Sequence, residues 1–286
     1  SNPEVFALKG KNALGFDFYI PAQDTFQNEP SVDSLSNGYV ITATKNGTEV
    51  EITNPTGVPT KGHSGGATWT VTLNKGETYA VVAAGNSPDE HLGGSRVKVL
   101  SGGPIAITIY DDSVTPPSDG CYDLMGDQNI PVVGVDESGN PGDTIIGREY
   151  ILMKGELGAG GHDVEDHVFV FSVKDGTNIK IIENLGASPP DTVVDKNLDA
   201  GQSLQDTLRD NYTYVLADEP VYVLHVSGFG CEMGQAVLPT ISSCTGSHEV
   251  GLMRSSSEDL FLNIMVRKDS DTPNPEDHFS LNGNPV

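Results

Sequence analysis

Lys45-Asn46-Gly47-Thr48-Glu49-Val50-Glu51-Ile52 reappears 129 residues later as Lys174-Asp175-Gly176-Thr177-Asn178-Ile179-Lys180-Ile181. Each copy sets Asn-Gly or Asp-Gly between β-rich runs, a strong hairpin signal because both turn positions need positive φ. The flanking landmarks repeat in the same order. Gly15-Phe16-Asp17-Phe18-Tyr19-Ile20 matches Gly147-Arg148-Glu149-Tyr150-Ile151-Leu152, and Leu73-Asn74-Lys75-Gly76 matches Leu198-Asp199-Ala200-Gly201. Pro104-Ile105-Ala106-Ile107 matches Pro220-Val221-Tyr222-Val223, a strand opened by proline, where a missing N–H is tolerated. Landmarks kept in order over this distance define two homologous β-modules.

Helix signals are nearly absent. Glycine (33) and proline (18) punctuate the chain too often for long apolar stripes of helical spacing. Short β-rich runs recur instead at Phe16–Ile20, Tyr39–Thr44, Glu49–Ile52, Thr68–Leu73, Tyr79–Ala83, Arg96–Leu100 and Ile105–Tyr110. Many alternate, as in Trp69-Thr70-Val71-Thr72-Leu73, which turns one face to a core and the other to water. The expected fold is all-β: two tandem related β-sandwich modules. The first spans 1–117; a connector and the second module span 118–250. Residues 251–286 hold either closing strands or a truncated third module, with His278-Phe279-Ser280-Leu281-Asn282-Gly283 reading as a strand and turn. The first joint is placed at Thr115-Pro116-Pro117-Ser118-Asp119-Gly120.

A net charge of −24 repels phosphate backbones and anionic lipid, so neither nucleic acid nor a membrane surface is an expected partner. The longest apolar runs, such as Tyr79–Ala84, are strand-length, so no membrane insertion is expected. The start at Ser1-Asn2, without Met, fits removal of an upstream export signal. Of three cysteines, Cys231 and Cys244 are the candidate bridge, closing a loop worth ~3 kcal/mol and leaving Cys121 free. Three buried thiols are the alternative.

Acidity favours cations, and calcium above others, because its preferred ligands are hard oxygens. Asp136, Ser138, Asn140 and Asp143 place oxygen-bearing side chains in one loop, without the glycine and downstream glutamate of an EF-hand. Asp111 and Asp112, near the joint, are further candidates, as are Asp269-Ser270-Asp271 and Glu276-Asp277. The ordinary reading of each cluster is a solvated loop. His162-Asp163-Val164-Glu165-Asp166-His167 has zinc-type ligands, but the two imidazoles, five apart, face opposite sides of a strand. Ser/His/Asp combinations mean little without geometry, and no enzyme is expected. Trp69 and the tyrosines, including Tyr39, Tyr150, Tyr212 and Tyr222, fall in strand runs and read mostly as core, although exposed ones would stack on sugars. Asn46-Gly47-Thr48 and Asn211-Tyr212-Thr213 fit the glycosylation sequon.

Ala43-Thr44-Lys45-Asn46-Gly47-Thr48-Glu49-Val50, Gly94-Ser95-Arg96-Val97 and Gly103-Pro104-Ile105-Ala106 resemble the signature of the IgG Fc-binding protein N-terminal domain family. Cys121-Tyr122-Asp123-Leu124-Met125-Gly126-Asp127-Gln128 leading to Pro131 is similar to its central connector. Gly234-Gln235-Ala236-Val237-Leu238-Pro239, Cys244-Thr245-Gly246-Ser247 and Phe279-Ser280-Leu281-Asn282-Gly283 extend the resemblance to the end. Members occur in animal mucus proteins and in large secreted bacterial proteins. The resemblance implies β-sandwich modules, an extracellular or bacterial cell-surface location, and a non-catalytic binding or adhesive role toward a protein or glycan. The chain is expected to act as a monomer within a longer multidomain protein. The alternatives are a carbohydrate-binding accessory region of a secreted enzyme and a structural spacer.

Overall fold

The computed structural model describes residues 7–32, 35–116, 121–230, 232–241, 264, 265, 280–282, 284 and 285. The chain divides into two compact units, Ser1–Thr245 and Gly246–Val286. No α-helix occurs among the described residues; short 3-10 turns and antiparallel strands make up the regular structure.

The first module contains β1 (Asp17–Tyr19), β2 (Gln27–Asn28), β3 (Asn37–Ala43), β4 (Thr48–Thr53), β5 (Thr68–Leu73), β6 (Thr78–Val82), β7 (Arg96–Ser101) and β8 (Ile105–Thr115). Next come β9 (Asp123–Gln128), β10 (Val133–Val135) and β11 (Pro141–Thr144). One sheet has the order β11-β10-β1-β7-β4-β5; the other runs β2-β8-β3-β6, with β9 on the far side of β8. The strands that follow the joint therefore return to the first module's sheets. Pro117, Ser118, Asp119 and Gly120 of the joint lie outside the described residues.

The second module is formed by β12 (Gly147–Met153), β13 (His167–Ser172), β14 (Thr177–Glu183), β15 (Asp191–Leu198), β16 (Ser203–Thr207), β17 (Tyr212–Phe229) and β18 (Glu232–Val237). The first half of β17 pairs with β12 and β14; its second half pairs with β13 and β18. One long strand thus serves both layers of the sandwich, and the residues between the halves include Pro220. The sequence placed Pro220 at the opening of a strand. It lies inside β17, where the missing N–H falls between the two ladders.

The repeat holds bond by bond. β1, β3, β4, β5, β6, β7, β8 and β9 make the same pairings as β12, β13, β14, β15, β16, the two halves of β17, and β18. At the turns, Asn46 Oδ1 accepts the N–H of Lys75 and Asn74 Oδ1 that of Gly47; Asp175 and Asp199 take the N–H groups of Ala200 and Gly176 in the same way. Thr48 and Thr177 each donate their hydroxyl to the carbonyl three residues back. The repeated Lys-Asx-Gly-Thr is a reciprocal clasp between two turns.

The modules differ in what covers their second face. In β3, Tyr39 and Ile41 are buried while Val40 and Thr42 are partly open; in β13 all six residues are buried. Val168 and Val170 fill the second module's own core with Tyr150, Ile179, Ile181 and Val215. Phe169 and Phe171, with Tyr222, Leu224 and Val226, join the first module's cluster of Phe18, Ile20, Phe26 and Ile130. The two modules therefore share one core cluster, beside the second module's own. Polar groups key the seam: Tyr222 donates to Ile130 O (2.7 Å), and Asp123 and Asp127 on β9 accept the N–H groups of Met233 and Val237 on β18 (2.9 and 2.8 Å). Glycine is required at Gly94, whose φ is +87° and where a Cβ would lie 2.2 Å from Gly201 O of the second module.

In the unit Gly246–Val286, β19 (Ser280–Leu281) and β20 (Asn284–Pro285) form a small hairpin, consistent with the strand and turn expected at His278–Gly283. The remainder of the expected closing strands, or third module, lies outside the described residues.

Candidate functional site

Of the acidic clusters expected to hold calcium, the one that begins at Asp136 opens in a hydrogen-bonded turn. Asp136 closes the β10–β11 hairpin, its Oδ1 accepting the N–H groups of Ser138 and Asn140 at 2.8 Å. Those backbone bonds, that of Asn140 foremost, hold its carboxyl below the usual range. Ser138 and Asn140 are exposed in the turn and Asp143 on the strand beyond it. Asp111 and Asp112 are consecutive on β8 and so face opposite ways. Asp111 is fully buried, bonded to Gln23 Nε2 and Asn28 Nδ2 (2.7 Å each), with His91 Nδ1 at 3.5 Å. Burial pushes its pKa up, against the pull of His91 and the amides of Gln23, Asn28 and Asn37. Asp112 accepts the Ser113 hydroxyl. Among the described residues no three His, Cys, Asp or Glu side chains gather as a ligand set. The clusters at 269–271 and 276–277 lie outside those residues.

The histidine-rich segment is divided, but not across one strand as expected, because β13 begins only at His167. His167 is buried on β13, its Nδ1 2.7 Å from Gln205 Nε2 and its ring edge-on to Phe26. Its pKa is lowered by burial, against Asp166, Glu165 and Asp206. His162 lies in the preceding loop. Asp166 is buried and accepts the N–H of Gly155 (2.7 Å), with His225 Nε2 at 3.3 Å. Burial would raise its pKa, but bonds from His225, Ser227 and Gly155 hold it low. Ser227 and His225 both serve this carboxylate, an arrangement that anchors a loop.

The described residues also correct the cysteine reading. Cys121, expected to be free, is disulfide-bonded. With only three cysteines in the chain, this excludes a Cys231–Cys244 bridge; both of those residues lie outside the described set.

A cleft of about 360 Å³ opens at the loop end of the second module, lined by Asn184, Leu185, Gly186, Arg209, Asp210, Asn211 and Tyr212. The β14–β15 and β16–β17 loops build it. Asn184, with φ +51°, donates its N–H to Asp210 Oδ2 (2.6 Å) and its amide to Asp191 (3.1 Å), which ties the two loops together. Arg209 is gripped by both oxygens of Asp206 (3.1 and 2.8 Å) and by Glu183 (3.4 Å), so its guanidinium is fixed before any ligand arrives. Tyr212 is 55% exposed and Leu185 39%, whereas Tyr39, Tyr150 and Tyr222 are fully buried as expected of strand aromatics. The cleft thus joins an aromatic ring and a branched side chain to fixed amides, a carboxylate and a guanidinium, a mixed and mainly polar lining.

The repeat explains why this end is open. The registers of β7 on β4 and of β17 on β14 make Tyr212 the counterpart of Gly94. In the first module that position receives the second module's Gly201; in the second it carries an exposed aromatic. The sequence offers Asn211 as a sequon and Tyr212 as a strand aromatic, and the cleft they line comes only with the fold. The signal within reach was Arg209-Asp210-Asn211-Tyr212, a polar tetrapeptide ending in an aromatic between two β-rich runs.

A family model described as IgGFc binding protein matches residues 6–285. No curated protein and no solved structure matches the chain. No helix of the described residues is long and apolar enough to cross a membrane. The match spans essentially the whole sequence: the chain belongs to the IgGFc-binding family, a binding-type family whose members are typically extracellular.

Proposed function

We propose that this member of the family is a non-catalytic ligand-binding module of a secreted or surface-attached bacterial protein, and that it adheres through the loop end of its second module. The observation that carries the reading is the exposed Tyr212, set in pre-ordered polar groups where the first module has a covered glycine. Exposed aromatics flanked by rigid polar groups supply contact area at low entropic cost, which is why they dominate binding surfaces. The family description favours a protein ligand, with IgG Fc the first to try. The shared core supports a rigid presenting arm, since movement of one module on the other would expose Phe169, Phe171 and Leu224.

The test is binding of the purified chain to immobilised Fc, mucin, collagen and a glycan array, in calcium and then in EDTA. A ligand signal lost in Tyr212→Ala, with unchanged thermal unfolding, is expected. Binding that survives Tyr212→Ala moves the site elsewhere, and silence from folded protein leaves the spacer reading. A neutral sugar as the only ligand would favour the carbohydrate-binding accessory role, for which a tyrosine beside Asn184 and Asn211 is suitable. Calcium enters as an arm of the same test, with Asp136, Ser138, Asn140, Asp143, Asp111 and Asp112 as its proposed ligands. Asp111 is the least suited of these, because Gln23 and Asn28 already occupy both its oxygens.

A further inference from the structure

β5 is an end strand of its sheet: it pairs with β4 on one side and with no strand on the other among the described residues. Its sequence, Thr68-Trp69-Thr70-Val71-Thr72-Leu73, carries no charge and no proline. Thr68, Thr70 and Thr72 are exposed on the outer face, while Trp69 and Val71 are half-buried on the inner one. Open edges of this kind are templates for another strand, and proteins ordinarily guard them with charge.

The second module guards the same strand. β15 is the counterpart of β5, through Leu198 paired to Thr177 as Leu73 is paired to Thr48. It places Asp195 where β5 has Thr70 and Lys196 where β5 has Val71, both exposed. One fold and one edge thus occur in two versions, guarded and bare.

We infer that the β5 edge is a pairing site for β5 of a second copy of this chain. Antiparallel pairing about a two-fold axis at Thr70 keeps each face in register, because every paired position then has the same parity. Thr70 stands opposite Thr70, Thr68 opposite Thr72, and Trp69 opposite Val71 of the other copy. Threonine–threonine and aromatic–β-branched pairs are the cross-strand combinations that favour association. The contact is isologous, so it closes at a dimer instead of propagating. The same pairing at β15 would oppose Asp195 to Asp195, like charges directly across a ladder, which disfavours it. On the inner side the Trp69 ring is stacked on His63 (centroids 3.8 Å apart), which holds it in place for the cross-strand contact with Val71.

The net charge of −24, with Glu51 and Glu49 across from Thr70 and Thr72 on β4, opposes association, but at physiological salt its reach is about 8 Å. One six-residue edge makes a small interface, so the dimer is weak, with Kd on the order of 10–1000 μM. Copies crowded on a surface would turn such contacts into avidity.

The test is sedimentation velocity of the whole chain from roughly 10 μM to 1 mM, a span that brackets that Kd. The wild-type sedimentation coefficient is expected to rise with concentration, and that of Thr70→Asp to stay at the monomer value. Thr70→Asp imports the second module's own residue at an exposed site, and a thermal scan checks that it folds. Thr70→Cys should give a cross-linked dimer under mild oxidation, since paired Cα atoms lie ~4.5–5.5 Å apart, within disulfide span. Asp195→Cys should not. A wild type that stays monomeric to 1 mM, or a dimer that persists in Thr70→Asp, overturns the inference. A monomer whose β5 amides gain exchange protection only on adding a mucin or Fc also overturns it, assigning the edge to a foreign strand.

Discussion

Phe171→Ala compared with Thr42→Ala tests whether the modules share a core. The two positions are equivalent, 129 residues apart on β13 and β3. Phe171 is 1% exposed and reaches the first module, with its ring 3.0 Å from where a Cβ on Gly93 would lie. Thr42 is partly open on a face with no second module against it. Truncating a buried phenylalanine costs about 3–5 kcal/mol, as lost transfer energy and a residual cavity. Removing a half-exposed threonine hydroxyl and methyl costs roughly 0.5 kcal/mol. For a unit of this size each kcal/mol moves the melting point by about 2–4 °C, so Phe171→Ala should lower Tm by about 6–20 °C. Calorimetry of both variants is the assay. Equal, small shifts would refute the argument, because they would mean that β13's outer face is not buried against the first module. A wild type melting in two separated transitions would refute the shared core as well.

Other outcomes follow from single contacts. Gly94→Ala should destabilise by more than about 3 kcal/mol in urea titration, since positive φ and the approach of Gly201 O both oppose a Cβ, and backbone on both sides cannot yield. Asp166 is held below the usual carboxylate pKa, so its stabilisation is complete above its unfolded value near 4 and is lost as pH falls through the folded one. Asp166→Asn should flatten that acid limb in a pH series of unfolding midpoints. Asp111 has its pKa raised by burial, so ionising it costs stability as pH rises through the folded value. Asp111→Asn should still destabilise at neutral pH by about 1–3 kcal/mol, because an NH₂ would then face the amide donors of Gln23 or Asn28, which urea titration at pH 7 will read.

Much of the fold was legible from local chemistry. Asn-Gly and Asp-Gly name their turn, and alternation in Thr68–Leu73 names a strand, because backbone dihedrals and side-chain direction are settled within a few residues. Repetition then carries the reading from one module to the next. The partners of each side chain are a different matter. Asp111 and Asp136 are both aspartates in polar stretches; one is buried under Gln23 and Asn28 and the other tips a hairpin, because residues more than 80 positions away decide burial. Cys121 shows the same limit, since spacing along the chain says little about which cysteines meet.

The sequence by itself determined that this protein is two copies of one β-module with an acidic surface, since turn chemistry, strand alternation and net charge are local or additive properties. Only the tertiary structure decided that the copies fuse through Phe169, Phe171, Tyr222 and Leu224, and that Tyr212 is left open where Gly94 is covered. Equivalent positions in a repeat receive the same backbone but not the same neighbours. Burial is a property of what arrives from elsewhere in the chain, and no window of sequence contains it.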